Sequence, residues 1–232
     1  MKRMISALLA ALLLLSLAAC GEKEPDDTPS GYDDSLISEL YSEEGEYTDA
    51  ENNTLSYRYH VPQIVSETAV AAALNAEIAD KFGALVQEQK SMMAGRVSLT
   101  CLSVTWKSYW NDSLLCLVLT SEMDGDMTDY AVYSYDFFGG KRLTSEDLLA
   151  REGLSTQEFV MAARRTAANY FDGLYRDALS GSMGSADFIA SYAERRAWTL
   201  SDENINAEMR LYLDGGALHM IVPVGSFAGA AS

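Results

Sequence analysis

Residues 54–86, TLSYRYHVPQIVSETAVAAALNAEIADKFGALV, change their apolar period partway along, and that change decides the fold class. Leu55, Tyr57 and Tyr59 alternate with polar neighbours, which predicts a strand with one apolar face, ended by Pro62. Past Ser66, read as an N-cap, Val70, Leu74, Ile78, Phe82 and Leu85 recur every three or four residues. That spacing predicts a long helix with a single apolar stripe. Three further strands are expected at 97–108, 113–121 and 129–136, divided by the turn signals Trp110-Asn111-Asp112 and Asp124-Gly125-Asp126. Strands joined by tight turns, interspersed with long helices, define an α+β class. The expected architecture is a mostly antiparallel sheet with long amphipathic helices packed on one face.

Downstream, FFGGKRLTSEDLL (137–149) reads as a turn followed by a short helical step. Ser155 and Glu158 have the spacing of a capping box, opening a helix whose stripe would be Phe159, Ala163, Ala167, Tyr170 and Leu174. A shorter helix is expected near 185–194, after a Gly/Ser loop at 181–185. The strands AEMRLYL and ALHMIVPV, joined by Asp214-Gly215-Gly216, predict a closing hairpin. Residues 53–232 are thus expected to form one domain.

The N-terminal segment reads differently. Lys2 and Arg3 precede an apolar run from Leu8 to Leu17, and Ala18, Ala19 and Cys20 close it. A charged start, a short apolar run and small residues before a cut are the plan of a secretory signal peptide, here 1–19. The run is short of the roughly 20 apolar residues that a spanning helix needs. Leu17-Ala18-Ala19-Cys20 resembles the lipobox of bacterial lipoproteins, which implies diacylglycerol on the Cys20 thiol, cleavage before it, and an extracytoplasmic domain anchored to the cell membrane. Residues 20–52 are rich in Glu, Asp, Ser, Pro and Gly, and are read as an acidic flexible linker.

The chain carries 34 acidic against 17 basic residues, a formal charge of −17. This balance argues against nucleic acid, whose phosphates are held mainly by Lys and Arg. Long-range steering would favour a cationic partner, while the ordinary reading of such acidity is that it keeps the domain soluble. Beyond Cys20 there are two cysteines, Cys101 and Cys116. A turn at 110–112 sets a register that places Cys101 nearer Met123 than Cys116, on the opposite face. That register favours two buried free thiols over a bridge, although an exported protein can form one.

Tyr59-His60-Val61-Pro62-Gln63-Ile64, a helix carrying Leu74-Asn75-Ala76-Glu77-Ile78, NDSLLCLVL (111–119), YSYDFFGGKRLTSEDLL (133–149) and LYLDGGALHMIVPVGSFAGA (211–230) occur in an order that resembles the extracytoplasmic domain of the RsiV-type anti-sigma factors. The most specific pieces are Asp136, Gly140, Lys141, Leu143, Thr144, Asp147, Leu148 and Leu149, with Ala228 and Gly229. The family's ectodomain binds and senses lysozyme, and a related domain accompanies peptidoglycan deacetylase units. The resemblance implies a non-catalytic binding domain over 54–231. This chain shows neither the cytoplasmic anti-sigma segment nor a deacetylase unit, so binding is what the resemblance leaves.

No catalytic constellation emerges from the residues. His60 and His219 each fall in a strand, where a satisfied, partly buried imidazole is the ordinary role. Asp124, Asp126 and Asp129, and the series Asp202, Asn204, Asn206 and Glu208, alternate oxygen ligands, but neither has the Gly at position 6 and Glu at 12 of a calcium loop. They read as solvated turns, and no metal or cofactor is expected. Tyr109 and Trp110 fall at the predicted turn, where exposed rings would anchor an interface; the ordinary alternative is Trp110 folded back onto the sheet or its neighbouring helix, and Trp106 and Trp198 are assigned to the core. The partner-binding candidates are therefore Tyr109, Trp110, Asp124, Asp126 and Asp129. The expected function is binding or sensing of an extracytoplasmic partner, lysozyme or another cationic wall-directed protein. The alternatives are a structural or accessory envelope lipoprotein and, last, a wall-acting enzyme.

Overall fold

The computed structural model describes residues 31–124, 127–180, 186–206 and 209–224. Six strands form one sheet in the order β1 (Ile37–Thr48), β2 (Thr54–Ile64), β3 (Cys101–Asn111), β4 (Leu114–Met123), β5 (Met127–Asp136) and β6 (Lys141–Leu143). A separate hairpin pairs β7 (Arg210–Asp214) with β8 (Ala217–Ile221) across Gly215 and Gly216, both at positive φ. The helices are α1 (Ala69–Ile78), α2 (Ala84–Ala94), α3 (Ser145–Arg151), α4 (Thr156–Leu174), α5 (Arg176–Ser180) and α6 (Ala186–Thr199). The fold is α+β. Its sheet is mixed, because β2 and β3 run parallel while every other neighbouring pair is antiparallel. A parallel pair needs a long crossover, and the α1–α2 rod supplies it.

The compact unit begins at Tyr32, and the expected flexible linker is corrected over its second half. Residues 37–48 form β1, the longest strand, paired with β2 along its whole length. Composition concealed it, because an edge strand covered on one face needs few apolar residues. Ile37, Leu40 and Tyr41 pack against the core, the last two on the buried Gly83, where a Cβ would sit 3.4 Å from the Tyr41 ring. Pro62 does not end β2, which runs on to Ile64. It faces Glu39 beside a bulge in β1. Val65 N–H donates to Leu36 O, so the alternation makes Glu39–Pro62 a non-hydrogen-bonded pair. The missing N–H thus breaks no β1–β2 bond.

Thr68, not Ser66, caps α1, its Oγ1 accepting from Ala71 N–H at 3.1 Å. Ser66 and Thr68 both engage the buried Tyr135 hydroxyl, at 3.0 and 2.7 Å. Between α1 and α2 a π turn covers Ala79–Gly83. Successive i+4 positions drift around an ideal α-helix, and the wider π turn cancels the drift. Ile78, Phe82 and Val86 therefore share the buried face, with Val86 in the place expected of Leu85.

Two cores sandwich the sheet. One joins Leu74, Ile78, Phe82 and Val86 to Tyr59, Val61, Val104, Leu115, Leu117 and Leu119. The other joins Leu114 and Cys116 to Leu148, Leu149, Ala163, Ala167, Leu211 and Leu213. Alternate residues of β4 thus enter opposite cores, which explains its unbroken apolar run. The expected single helical face is corrected: the second face is covered by the β7–β8 hairpin, α3 and α4, the last through buried Ala163 and Ala167 and partly buried Phe159 and Val160. On α4 the buried stripe is Ala163, Ala167 and Phe171, whereas Tyr170 and Leu174 are exposed. Trp198, assigned to the core, is 47% exposed. The Ser155 cap forms, but the Glu158 carboxylate takes the Ser155 hydroxyl at 2.5 Å. The reciprocal box is found instead at Thr144 and Asp147.

Candidate binding surface

Tyr109 and Trp110 lie within β3, opposite Cys116 and Leu115, and the tight turn falls after them at Asp112, φ +52°. Being consecutive in a strand, they point to opposite faces. Tyr109 packs on Tyr212 with ring centroids 4.6 Å apart. Trp110 packs on Phe137 at 5.6 Å, and its indole N–H donates to Asp34 Oδ1 at 2.8 Å, an oxygen that also accepts from Ser108 Oγ. Both rings are engaged inside the fold: one holds the β7–β8 hairpin, the other the short 3-10 turn Asp34–Leu36. Of the two placements the sequence left open for Trp110, the structure has the ring folded back against the core rather than projecting as an exposed anchor.

The acidic residues lie elsewhere. Asp124 is exposed beyond the far end of β4, its N–H donating to Thr100 O. Asp129 on β5 binds Lys81 Nζ at 2.8 Å and Arg210 at 3.3 Å. Partial burial opposes its charge, but bonds from Lys81 and Tyr130 N–H and the nearby Arg210 hold its carboxyl below the usual range. Ten residues of β4 at about 3.3 Å each separate the Tyr109–Trp110 end from the Asp124 end by about 30 Å. The structure therefore does not gather these residues into one patch. Cys20 and Asp126 lie outside the described residues.

Cys101 and Cys116 are free and buried, in different cores, and Cys101 faces Met123 as the register predicts. Burial pushes the Cys101 thiol up to about 11 and the Cys116 thiol up as well. His60 Nδ1 contacts Glu39 at 3.0 Å, and His219 stacks on Tyr212. Glu39 also accepts from the Trp106 indole, so Trp106 is only half-buried. Burial opposes the Glu39 charge, yet bonds from Ser42 and Trp106 and the His60 neighbour hold its carboxyl low. Asp202 pairs with Arg164, and Asn204 and Asn206 bond to backbone carbonyls. Among the described residues no group of His, Cys, Asp and Glu could hold a metal ion, and no helix is long and apolar enough to cross a membrane.

One surface combines geometry and charge. β1 is a sheet edge, paired with β2 alone among the described residues, and it carries Glu39, Glu43, Glu44 and Glu46. Glu43 turns toward the helices and takes Lys90 at 2.5 Å. Glu44 takes Arg58 on the other face, with both side chains more than 60% exposed. That face opens into a shallow groove of about 710 Å³ lined by Glu44, Ser56, Arg58, Leu102 and Glu122. The groove exists because β2 and β3 pair only at Arg58–Ser103 and Tyr59–Val104. Asp49, buried at the hairpin end, accepts from Glu51 and Asn53 N–H and fixes the strand's exit.

Compared with protein-family models and with curated proteins, the sequence matches none. Of the residues on which the expected RsiV-type resemblance rests, Ala228 and Gly229 lie outside the described residues, and several of the others serve the architecture. Asp136 accepts from Ser113 Oγ and Phe138 N–H, Thr144 and Asp147 cap α3, and Leu148 and Leu149 are buried.

Proposed function

We propose that the protein is a non-catalytic binding or sensing module, lipid-anchored at Cys20 outside the cytoplasmic membrane, whose partner is a cationic wall-directed protein such as lysozyme. The observation that carries this reading is the long acidic edge of β1 beside an open groove, on a chain of formal charge −17. Complementary charge steers encounter and selects partners. The RsiV-type resemblance supports lysozyme as the first partner to test. Calorimetry of the full chain in a neutral detergent against lysozyme, at low and physiological salt, tests it. Saturable binding that weakens as the Debye length shrinks to about 8 Å is the expected result. No binding at either salt removes lysozyme. The anchor is tested by fatty-acid labelling, which Cys20→Ala is expected to abolish.

A second reading, an accessory envelope lipoprotein held by a stable partner, is supported by the exposed Met161, Tyr170 and Leu174 on α4 with Ile189 and Trp198 on α6. Co-purification of a stoichiometric membrane protein that survives high salt favours it.

A further inference from the structure

We infer that the open edge of β1 receives an extended cationic segment of the partner as an additional strand of the sheet. The inference rests on the cationic-partner reading above and adds the mode of contact.

Alternation in an antiparallel pair leaves every second residue with its N–H and C=O directed away from the neighbour. Asp49 N–H donates to Asn53 O, and the register continues unbroken through Tyr47–Leu55, Gly45–Tyr57, Glu43–Tyr59 and Tyr41–Val61. These pairs take the bonds to β2. Ser42, Glu44, Glu46 and Thr48 therefore direct their N–H and C=O groups outward, and among the described residues β1 has no second neighbour.

Exposed edges are ordinarily kept short, bulged, covered or protected by Lys and Pro. β1 is 12 residues long, and from Tyr41 to Thr48 it has no Lys, Pro or bulge. In place of Lys and Pro it carries Glu43, Glu44 and Glu46, of which Glu43 pairs with Lys90 on the helix side and Glu44 with Arg58. These carboxylates repel a second copy of this edge and admit a strand of opposite sign. Side chains of directly opposed residues stand about 5 Å apart, so Lys or Arg at alternate positions of the incoming strand would face Glu44 and Glu46. Arg58 is 61% exposed and can yield Glu44 to such a residue. Main-chain bonds along an edge with side-chain selection on one face are an established way of binding peptides.

The test uses the full chain in neutral detergent and a fluorescent seven-residue peptide of alternating Val and Lys, read by anisotropy. A second peptide, N-methylated at alternate residues, keeps the charge but loses one edge of N–H donors. Glu46→Gln and Glu46→Pro remove the same charge, and only Pro removes the outward N–H and blocks an approaching strand. Glu46→Gln is expected to weaken the parent peptide about 2- to 5-fold. Glu46→Pro and N-methylation are each expected to weaken it at least about 10-fold. Absence of parent-peptide binding, equal affinity of the N-methylated peptide for the unmodified chain, or equal affinities of a folded Glu46→Pro and Glu46→Gln would overturn the inference. Lysozyme binding that persists unchanged in Glu46→Pro would overturn the mode of contact while leaving the cationic-partner reading standing.

Discussion

Trp110 can be assigned by experiment to one of the two roles its sequence position leaves open. An exposed anchor, cut back to Ala, would lose binding and keep stability; an internal strut would do the reverse. Its ring packs on Phe137 and its indole N–H holds Asp34. Truncating a fully buried Trp to Ala costs about 3–5 kcal/mol, and Trp110 is only partly buried, so about half applies. Asp34 is exposed, and once released its carboxylate returns to water at little further cost. Trp110→Ala is therefore expected to cost about 2 kcal/mol. At about 2–4 °C per kcal/mol for a chain of this size, Tm falls by about 4–8 °C. Trp110→Phe keeps a ring on Phe137 and is expected to recover more than half of the loss. Thermal unfolding by circular dichroism gives the shift, and hydrogen exchange over 32–36 gives its location, since that turn loses its dock. Wild-type Tm and exchange in Trp110→Ala, together with lost lysozyme binding, would refute the strut and restore the anchor.

Two other outcomes follow from the buried groups. Cys101 and Cys116 lie in separate cores with raised thiol pKa values, so neither is expected to react with a disulfide reagent at pH 8 until the protein unfolds. Rapid native labelling, or a Cys101–Cys116 disulfide peptide in mass spectra, would contradict the two-core arrangement. Asp129 has a lowered pKa in the fold, so its contribution is present above the ordinary carboxylate range and fades as pH falls through the folded value. The Tm gap between wild type and Asp129→Asn is expected to be widest near neutrality and to close below about pH 4. A gap equal at pH 3 and pH 7 would show that the Lys81 and Arg210 contacts do not govern this carboxylate.

The legible parts of the fold were those whose signal is local. Alternation and turn residues located β3, β4, β5 and the β7–β8 hairpin, and the Asp112 turn set the register that separates the two thiols. The rod from Ala69 to Ala94 was legible as a helix but not as a helix with a π turn, because three successive i+4 steps look alike in sequence whether or not a turn widens to keep them aligned. β1 was hidden because its burial comes from one side only, and ISELYSEEGEYT has the composition of a linker. The candidate site suffered from the same locality. Tyr109 and Trp110 adjoin a turn in sequence, but Tyr212, 103 positions after Tyr109, and Asp34, 76 positions before Trp110, claim their rings.

What the sequence determined alone was the α+β class, the strand–turn–strand register of β3 and β4, the acidity of the chain and the expectation of an export and lipidation signal ending at Cys20. Each depends on residues close together or on totals, which no folding alters. Tertiary structure decided which face each strand residue occupies, that β4 feeds two cores, and that Asp129 is paired rather than free. It also decided that an acidic run taken for a tether becomes a long open edge. Those outcomes depend on which distant segment reaches a residue first, and burial and charge pairing are properties of that meeting rather than of the residue itself.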